Sequence, residues 1–360
     1  MVRATLAVAL EALEALEALE VLEALETFKR ENTMLTAIDH IIIGVHDLGK
    51  AAAQFNEKLG LLASGGGIHP SGGTANRIIV IGDTYLELIA VRAPEEAQQS
   101  LLDRLAKGEG YLNCVLGSND IATEAEAMRE RGIPIIGPTP GQLQAADGRA
   151  RGWSRIDIER PELAQRYPFL IQHDSAGEER RLRLAGWKTP PEHPLGAIKI
   201  LNVTIAVANL EEAAQRFARI YGLQPSEPFT GEPDGWDALL VAFPLGESGQ
   251  HLELAMPVPL AAEEDQEIGL EHLPEAGALR RYLERFGESV CRMTLAVKSM
   301  EEARCYLDEH GVTYTYQEEG MHPVLWIHPD YACGAAIVLH ERIDALTEPS
   351  NLVSGSVTSA

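Results

Sequence analysis

One sequence unit recurs four times along the chain, and this repeat limits the possible folds more than any other feature. Each copy has an apolar β-branched segment, a polar residue, an amphipathic helical pattern and a glycine. The polar residues are Asp47, Asp120, Asn209 and Ser299, and the glycine follows 13, 12, 13 and 12 residues later. All four are good helix N-caps. Because the spacing alternates, we interpret the chain as two tandem pairs of units.

Extended segments follow each glycine and complete the unit. In the first copy, "ANRIIVIGDTYLELIAV" at 75–91 has the pattern of two strands joined by a turn at Gly82 and Asp83. Each unit is therefore predicted to be a βαβββ module. The predicted fold class is α+β, with four such modules forming two tandem paired-module domains, preceded by a helical leader.

The predicted domain boundaries follow from this pattern and from composition. The first domain covers residues 37–180 and the second covers 198–345. Residues 181–197 include the Pro- and Gly-rich string "AGWKTPPEHPLGA" and form the predicted linker. Residues 346–360 are expected to be a disordered tail.

The first 36 residues carry a three-residue Leu-Glu-Ala repeat. Its composition favours a helix, but a period of three turns the leucine stripe by roughly 60° per repeat, so no lasting apolar face forms. Two interpretations remain open: a helical leader that docks loosely, or a native chain that starts at Met34. We favour the second.

Composition limits the classes of partner. The chain has 360 residues, with 54 acidic and 30 basic side chains and a net charge of −24. This balance disfavours binding to nucleic acid or to an anionic membrane, because phosphate groups are bound by clustered Lys and Arg. The four cysteines form no CxxC motif, so a reduced cytoplasm is the expected location.

The stretch "AIDHIIIGVHDL" at 37–48 contains the first candidate site residue. In a strand, His40, Ile42 and His46 share one face. His40 is either a buried histidine with a satisfied hydrogen bond or a ligand or base. His46 lies next to the helix cap, and we expect it to be structural.

The glycine-rich string "GGGIHPSGGTANRI" at 65–78 precedes the strand that carries Glu87. Its glycines free the backbone and allow a ligand to approach closely, and His69, Thr74 and Asn76 offer donors and acceptors. The string is either a flexible polar connection or a substrate loop over the mouth of a site, and we favour the second. It lacks the GK[ST] of a phosphate-binding loop.

The string "DGRARGWSRID" at 147–157 concentrates arginine in an acidic chain. It places Trp153 and Arg155 on one strand face, with Arg149 and Arg151 near the start of the strand. Two interpretations remain open: an edge strand with solvated arginines, or a cluster that receives a carboxylate or carbonyl group.

The paired βαβββ modules, together with "DHIIIGVHDL", "HP…GTAN…YLEL", "PFLIQHD" and "HPLGAI", resemble the vicinal oxygen chelate superfamily, and its glyoxalase-like branch most closely. The resemblance covers roughly residues 37–342. It implies that two modules form a curved sheet around a site, and that residues of the first and last strands of each module often hold a divalent metal.

Carried over by position, the resemblance implies a metal site in the first domain at His40 and Glu87. The second module offers Asn113, a poor ligand, and a last-strand position near Ile171, Gln172 or His173. We predict His40, Glu87 and His173 as ligands of Zn, Ni, Mn or Fe. In the second domain no metal is expected, and the corresponding residues are Asn202, Glu253, Arg292 and Val338.

The expected function is a metal-assisted lyase, isomerase or dioxygenase that acts on a small oxygenated substrate. Glu87 or His69 would move a proton. The predicted substrate contacts are Thr74, Asn76, Trp153, Arg155 and Gln172. The alternative is a metal-free protein of the same fold that binds or sequesters a small molecule. The sequence does not predict the oligomeric state.

Overall fold

A computed structural model describes residues 34–145, 147–159, 167–231, 236–258, 277–318 and 323–341. Nearly all of the predicted leader and the whole predicted tail lie outside these residues. No helix within the described ranges is both long enough and apolar enough to cross a membrane.

The described chain forms two eight-stranded mixed sheets with helices, which confirms the predicted α+β fold of two tandem paired-module domains. The first sheet has the strand order β2-β3-β4-β1-β5-β8-β7-β6. Its strands are β1 (Leu35–Gly44), β2 (Ser64–Ile68), β3 (Thr74–Ile81), β4 (Thr84–Val91), β5 (Gly110–Ser118), β6 (Ile135–Gln144), β7 (Ala150–Ile158) and β8 (Phe169–His173). Its helices are α1 (Leu48–Leu59), α2 (Gln99–Ala106), α3 (Ile121–Glu130) and α4 (Gly177–Ala185).

The second sheet repeats this order as β10-β11-β12-β9-β13-β16-β15-β14. Its strands are β9 (Ala197–Ala206), β10 (Phe229–Thr230), β11 (Ala238–Leu245), β12 (Gln250–Pro257), β13 (Ser289–Val297), β14 (Tyr314–Gln317), β15 (Val324–Ile327) and β16 (Ala336–Glu341). Its helices are α5 (Leu210–Tyr221), α6 (Ala278–Phe286) and α7 (Met300–Glu309).

The helix that follows the first strand of each module begins at the predicted cap. Asp47 Oδ1 accepts hydrogen bonds from the amides of Gly49 (2.9 Å) and Lys50 (3.0 Å) at the start of α1. The helix ends at Gly60, whose φ of +57° is the left-handed conformation that favours glycine. Asp120, Asn209 and Ser299 also accept a hydrogen bond from an amide of the first helical turn. The predicted N-caps are confirmed.

The middle of each sheet brings the first and last strands of both modules together. In the first sheet, β1 and β5 are antiparallel neighbours, and each pairs in parallel with the last strand of its own module. Ile42 lies opposite Glu87, and Val115 lies opposite Phe169. This register fixes which side chains can meet on one face.

The two sheets share one core through their helix-covered faces. Ile41 and Ile43 of β1, Phe55 of α1, Val203 of β9 and Phe217 of α5 belong to one continuous cluster of buried apolar side chains. The other face of each sheet has its own smaller apolar clusters. Burial of apolar surface thus joins the two domains back to back.

The first sheet curls until its two edge strands, β2 and β6, come into contact. A Cβ added to Gly67 would lie 2.8 Å from Leu143 Cδ2, and one added to Gly66 would lie 2.1 Å from the carbonyl oxygen of Asn76. Most of the glycine-rich string therefore belongs to strands, with residues 65–68 in β2 and 74–78 in β3, and its glycines let neighbouring backbones approach. Only residues 69–73 form the connection to β3. The curl encloses a hollow, which we call the first cup.

The segment predicted as a linker packs against the first domain. His193 is 4% exposed; its Nδ1 accepts a hydrogen bond from the Leu62 amide (3.0 Å), and its Nε2 donates to the Val80 carbonyl (2.6 Å). Helix α4 extends across residues 180 and 181, where the first domain was predicted to end. Burial lowers the pKa of His193, although its bond to Val80 opposes the change.

Candidate functional site

A buried carboxylate, Glu87 of β4, is the centre of a polar cluster in the first cup. Its Oε1 accepts a hydrogen bond from the Asn76 amide and lies 3.4 Å from His69 Nε2. Its Oε2 lies 3.5 Å from His40 Nε2. Glu87 is 6% exposed. One imidazole therefore faces each oxygen of a carboxylate that is almost removed from water.

The connection between β2 and β3 supplies the second imidazole. His69 Nδ1 lies 2.8 Å from Thr74 Oγ1, and Asn76 Oδ1 accepts a hydrogen bond from the Gly67 amide (2.8 Å). Because its oxygen is engaged there, Asn76 turns its NH₂ group toward Glu87. The His69 side chain is 20% exposed, so it is the more accessible of the two imidazoles.

Asp39 joins the cluster, although strand alternation in the sequence assigns it to the opposite face from His40. The pairing of β1 with β5 is irregular between Ile38 and His40, as in a β-bulge. The bulge brings the Asp39 carboxylate to His40, whose Nδ1–H donates to Asp39 Oδ1 at 2.6 Å. Sequence analysis missed Asp39, since nothing in the pattern of residues 37–48 marks a bulge.

Asp39 also contacts two side chains from the other module. Arg180 of α4 donates to Asp39 Oδ2 at 2.5 Å, and His173 Nε2 lies 3.2 Å from Asp39 Oδ1. His173, a predicted metal ligand, therefore contacts Asp39 rather than Glu87.

Aromatic rings fix the plane of the His40 imidazole. The Tyr85 ring stacks on it with centroids 4.5 Å apart and an interplanar angle of 12°, and Phe169 meets it edge-on at 6.0 Å. The contact with Asp39 sets which nitrogen carries the proton, and the rings set the orientation. His40 Nε2 is thereby held toward Glu87.

Both carboxylates stay ionised despite burial. Burial alone would raise the pKa of Glu87, but the hydrogen bond from His69, the charges of His40 and His69 and the bond from Asn76 lower it to about 2. Burial would likewise raise the pKa of Asp39, but Arg180 and the contacts with His173 and His40 hold it well below its usual range. At neutral pH the cluster contains two fixed negative charges.

The other predicted substrate contacts have partners of their own. Gln172 Oε1 accepts a hydrogen bond from the Ile121 amide (3.0 Å), so this side chain holds the start of α3. Arg155 Nε donates to Asp157 Oδ2 at 2.7 Å, and its guanidinium lies 3.5 Å above the Phe169 ring. Trp153 packs against the apolar cluster that contains Ile42. The structure brings His40, His69, Thr74, Asn76 and Glu87 together, but not Gln172.

His40 and Glu87 have the spacing expected for two ligands of one metal ion, which is half of a four-ligand site. Ligand atoms around one ion with bonds of about 2.1 Å lie roughly 3.0–3.5 Å apart, and the separation of His40 Nε2 from Glu87 Oε2 falls at that limit. The carboxylate of Asp39 on the other nitrogen of His40 is a typical arrangement behind a metal-ligating histidine.

The second module does not complete this set. By register, Phe169 occupies the position equivalent to Glu87. Asn113, at the other equivalent position, donates to the Tyr167 carbonyl at 3.0 Å and accepts from the Cys114 amide. Across the described ranges, no three His, Cys, Asp or Glu side chains form a group that could hold a metal ion.

The equivalent place in the second sheet holds a guanidinium. Arg292 NH2 lies 3.1 Å from Glu253 Oε2, and its charge lies 4.0 Å above the Trp236 ring. Asn202, at the position of His40, donates to Glu253 Oε1 at 2.9 Å. Arg292 is 3% exposed. The arginine supplies a permanent positive charge beside the counterpart of Glu87.

Comparisons with known proteins agree with this architecture. The family model described as "Glyoxalase-like domain" matches residues 38–221. A sequence search against curated proteins found no match.

Three similar solved structures cover most of the chain. A hypothetical protein from Staphylococcus aureus has a TM-score of 0.56 at 12% identity and covers 86% of this chain and 100% of its own. A triple mutant of 4-hydroxymandelate synthase from Streptomyces coelicolor has a TM-score of 0.55 at 12% identity, covering 87% and 95%. The Mn(II)-bound glyoxalase from Novosphingobium aromaticivorans has a TM-score of 0.51 at 11% identity, covering 86% and 83%. At these identities the solved structures establish the fold alone, and the family model confirms the predicted glyoxalase-like relationship.

Proposed function

Because the chain belongs to the glyoxalase-like domain family, we propose that it is an enzyme whose active site is the polar cluster of the first cup. The observation that carries this proposal is the buried Glu87 carboxylate with an imidazole at each oxygen. Ionised groups are expensive to bury and concentrate at functional sites. The substrate class is a small oxygenated molecule.

The chain's own residues provide binding and proton transfer. Thr74 holds the His69 ring, and Asn76 holds the Glu87 carboxylate. With a pKa of about 2, Glu87 is a weak base, so His69, the more exposed of the two imidazoles, is the better candidate to move a proton near neutral pH. Glu87 would hold that imidazole in place and stabilise its charged form.

In this proposal, His40 and Glu87 would also hold a divalent ion, either Zn, Ni, Mn or Fe. Such an ion would polarise two neighbouring oxygens of the substrate, which suits isomerase, lyase or dioxygenase chemistry. The spacing of the two ligand atoms and the carboxylate of Asp39 behind His40 support this assignment. Four unbridged cysteines are in keeping with activity in the cytoplasm.

The metal-free alternative, a protein that binds or sequesters a small molecule, is favoured by a different observation. Phe169 and Asn113 occupy the positions where the second module would complete a set of ligands. Three protein ligands are usual for a catalytic ion, and the first cup offers two at a suitable spacing.

Metal analysis separates the two candidates. The protein would be purified without chelators, incubated with each of the four metals, desalted and analysed by mass spectrometry. We expect about one ion per chain in the wild type and in the control His251→Ala, which changes a histidine of the second sheet, and loss of the ion in His40→Ala. Wild type that retains none of the four metals, together with unchanged stability of His40→Ala, would favour the binding protein.

The proton-transfer role has its own test. Solvent deuterium would be followed by NMR into a panel of small oxo and hydroxy compounds. We expect exchange that is lost in His69→Gln and Glu87→Gln. Exchange at the wild-type rate in both variants would contradict the assigned roles.

A further inference from the structure

Arg151 of β7 is a cation inside the first cup. The side chains at 151, 153 and 155 share one face of the strand, and Trp153 on that face packs against the apolar cluster of the cup. Arg151 lies opposite Leu143 of β6, which contacts the closing strand β2. Arg151 is 6% exposed, so its charge lies in the hollow and not in bulk water.

Arg151 differs from the two nearby arginines, Arg149 and Arg155, in its partners. Arg149 donates to Asp147 at 2.7 Å and to the Leu182 carbonyl at 2.8 Å, and Arg155 pairs with Asp157. Within the described part of the chain, Arg151 makes no hydrogen bond and no ion pair. The nitrogens of Arg151 are not among the fully enclosed side-chain atoms of the described residues that lack a hydrogen bond, so they open onto the hollow, where water or a ligand can bind them. Such a group is explained if its partner is a ligand.

Tyr85 provides a second donor in the same cup. It lies two residues before Glu87 on β4, so its side chain shares the face of Glu87, and its ring stacks on His40. Tyr85 is 3% exposed, and no residue in the described ranges forms a hydrogen bond with its hydroxyl. A guanidinium and a hydroxyl thus face the same cup as the His40–Glu87 pair.

We propose that Arg151 and Tyr85 form a carboxylate-binding subsite, and that the substrate of the first cup is a small carboxylic acid with a second oxygen beside the carboxylate. The planar guanidinium matches a carboxylate through two parallel hydrogen bonds, and the Tyr85 hydroxyl donates a third. The neighbouring oxygen then lies toward His40 and Glu87. This inference rests on the proposed function for the role of that second oxygen.

The surroundings favour a monoanion with an apolar remainder. Two carboxyl groups, those of Asp39 and Glu87, already lie against the His40 ring, so a phosphate dianion would meet stronger repulsion there than a carboxylate. In the same cup, Ile42, Ile89 and Trp153 offer apolar surface. A short 2-oxo acid with an alkyl chain has a single carboxylate, a neighbouring oxygen and an apolar remainder.

Binding of 2-oxohexanoate and of its neutral amide, 2-oxohexanamide, tests the subsite by calorimetry in the presence of a chelator. We expect the acid to bind the wild type at least about tenfold more tightly than the amide. Arg151→Met should weaken acid binding by about tenfold or more, and Tyr85→Phe by a smaller factor. The control Arg183→Gln, which removes a partly exposed arginine paired with Asp174 and Glu179, should change acid binding less than twofold.

Thermal unfolding separates a binding role from a structural one. Because Arg151 has no partner in the described protein, Arg151→Met should leave the Tm without ligand unchanged or higher. A lower Tm, equal affinity for acid and amide, acid binding that survives Arg151→Met, or no binding of the acid to the wild type would each overturn the subsite. A different outcome would be acid binding that depends on Arg151 in a protein that shows neither proton exchange nor bound metal. That outcome would support the subsite and refute the proposed enzyme.

Discussion

The interaction of Asp39 with Arg180 gives the most quantitative prediction for the first cup. Asp39→Asn keeps the size of the side chain but removes its charge. Asp39 is 4% exposed and accepts hydrogen bonds from His40 at 2.6 Å and from Arg180 at 2.5 Å. The substitution leaves the guanidinium of Arg180 without its carboxylate.

Breaking a buried ion pair by removing one partner costs about 3–5 kcal/mol. The Arg180 side chain is 18% exposed, so it regains some hydration, and an asparagine oxygen can still accept one hydrogen bond. We therefore expect Asp39→Asn to lower the free energy of unfolding by about 3 kcal/mol, the lower end of that range. Urea unfolding at pH 7, followed by circular dichroism, measures the change.

Asp83→Asn is a matched control, because Asp83 also pairs with an arginine, Arg181, but its side chain is 79% exposed. An exposed pair contributes little, so this variant should lie within about 0.5 kcal/mol of the wild type. In the double variant Asp39→Asn/Arg180→Met, the loss should be smaller than the sum of the single losses. A loss below about 1 kcal/mol for Asp39→Asn, or additive losses in the double variant, would refute the assigned charge pairing.

Other regions of the fold give further predictions. Because the pKa of His193 is lowered in the folded protein, the unfolded state binds a proton first as the pH falls below about 6.5. The free energy of unfolding should therefore decrease from pH 7 to 5, by at most about 1.4 kcal/mol per pH unit. In urea unfolding, His193→Gln should reduce this slope. Gly66→Ala should lower the Tm far more than Gly72→Ala, because both glycines have positive φ but only a Cβ at Gly66 meets backbone atoms. Glu253→Gln should destabilise the second sheet by about 3 kcal/mol in the same urea assay, because it leaves Arg292 buried without a carboxylate; a loss below about 1 kcal/mol would contradict that pairing.

Much of the fold could be predicted from the sequence, because the decisive interactions are local. Asp47 caps α1 through amides two and three residues away, and Gly60 ends the helix through its own left-handed φ. The two-residue turn at Gly82 and Asp83 joins β3 to β4, as its own sequence predicts. Such signals depend on near neighbours along the chain, so they survive without any knowledge of the tertiary structure.

The candidate site could be anticipated only in part. The family resemblance implied His40 and Glu87, which belong to different strands, as one metal site. The glycine-rich string at 65–78 suggested His69, Thr74 and Asn76. Regular strand alternation would turn Asp39 away from His40, and the sequence does not reveal the bulge, since a bulge depends on how β1 pairs with β5 rather than on the residues of β1 alone.

The partners of the charged and polar residues were decided by the tertiary structure. From the arginines at 149, 151 and 155, the sequence singled out Arg155 as a substrate contact, yet only Arg151 is directed into the hollow without a partner in the described protein. The register of β5 with β8 likewise places Phe169, not His173, at the position equivalent to Glu87. Local patterns specify which elements form and which face is apolar, but register, bulges and sheet curl set the distances between residues far apart in the chain, and electrostatic interactions and metal ligation depend on those distances.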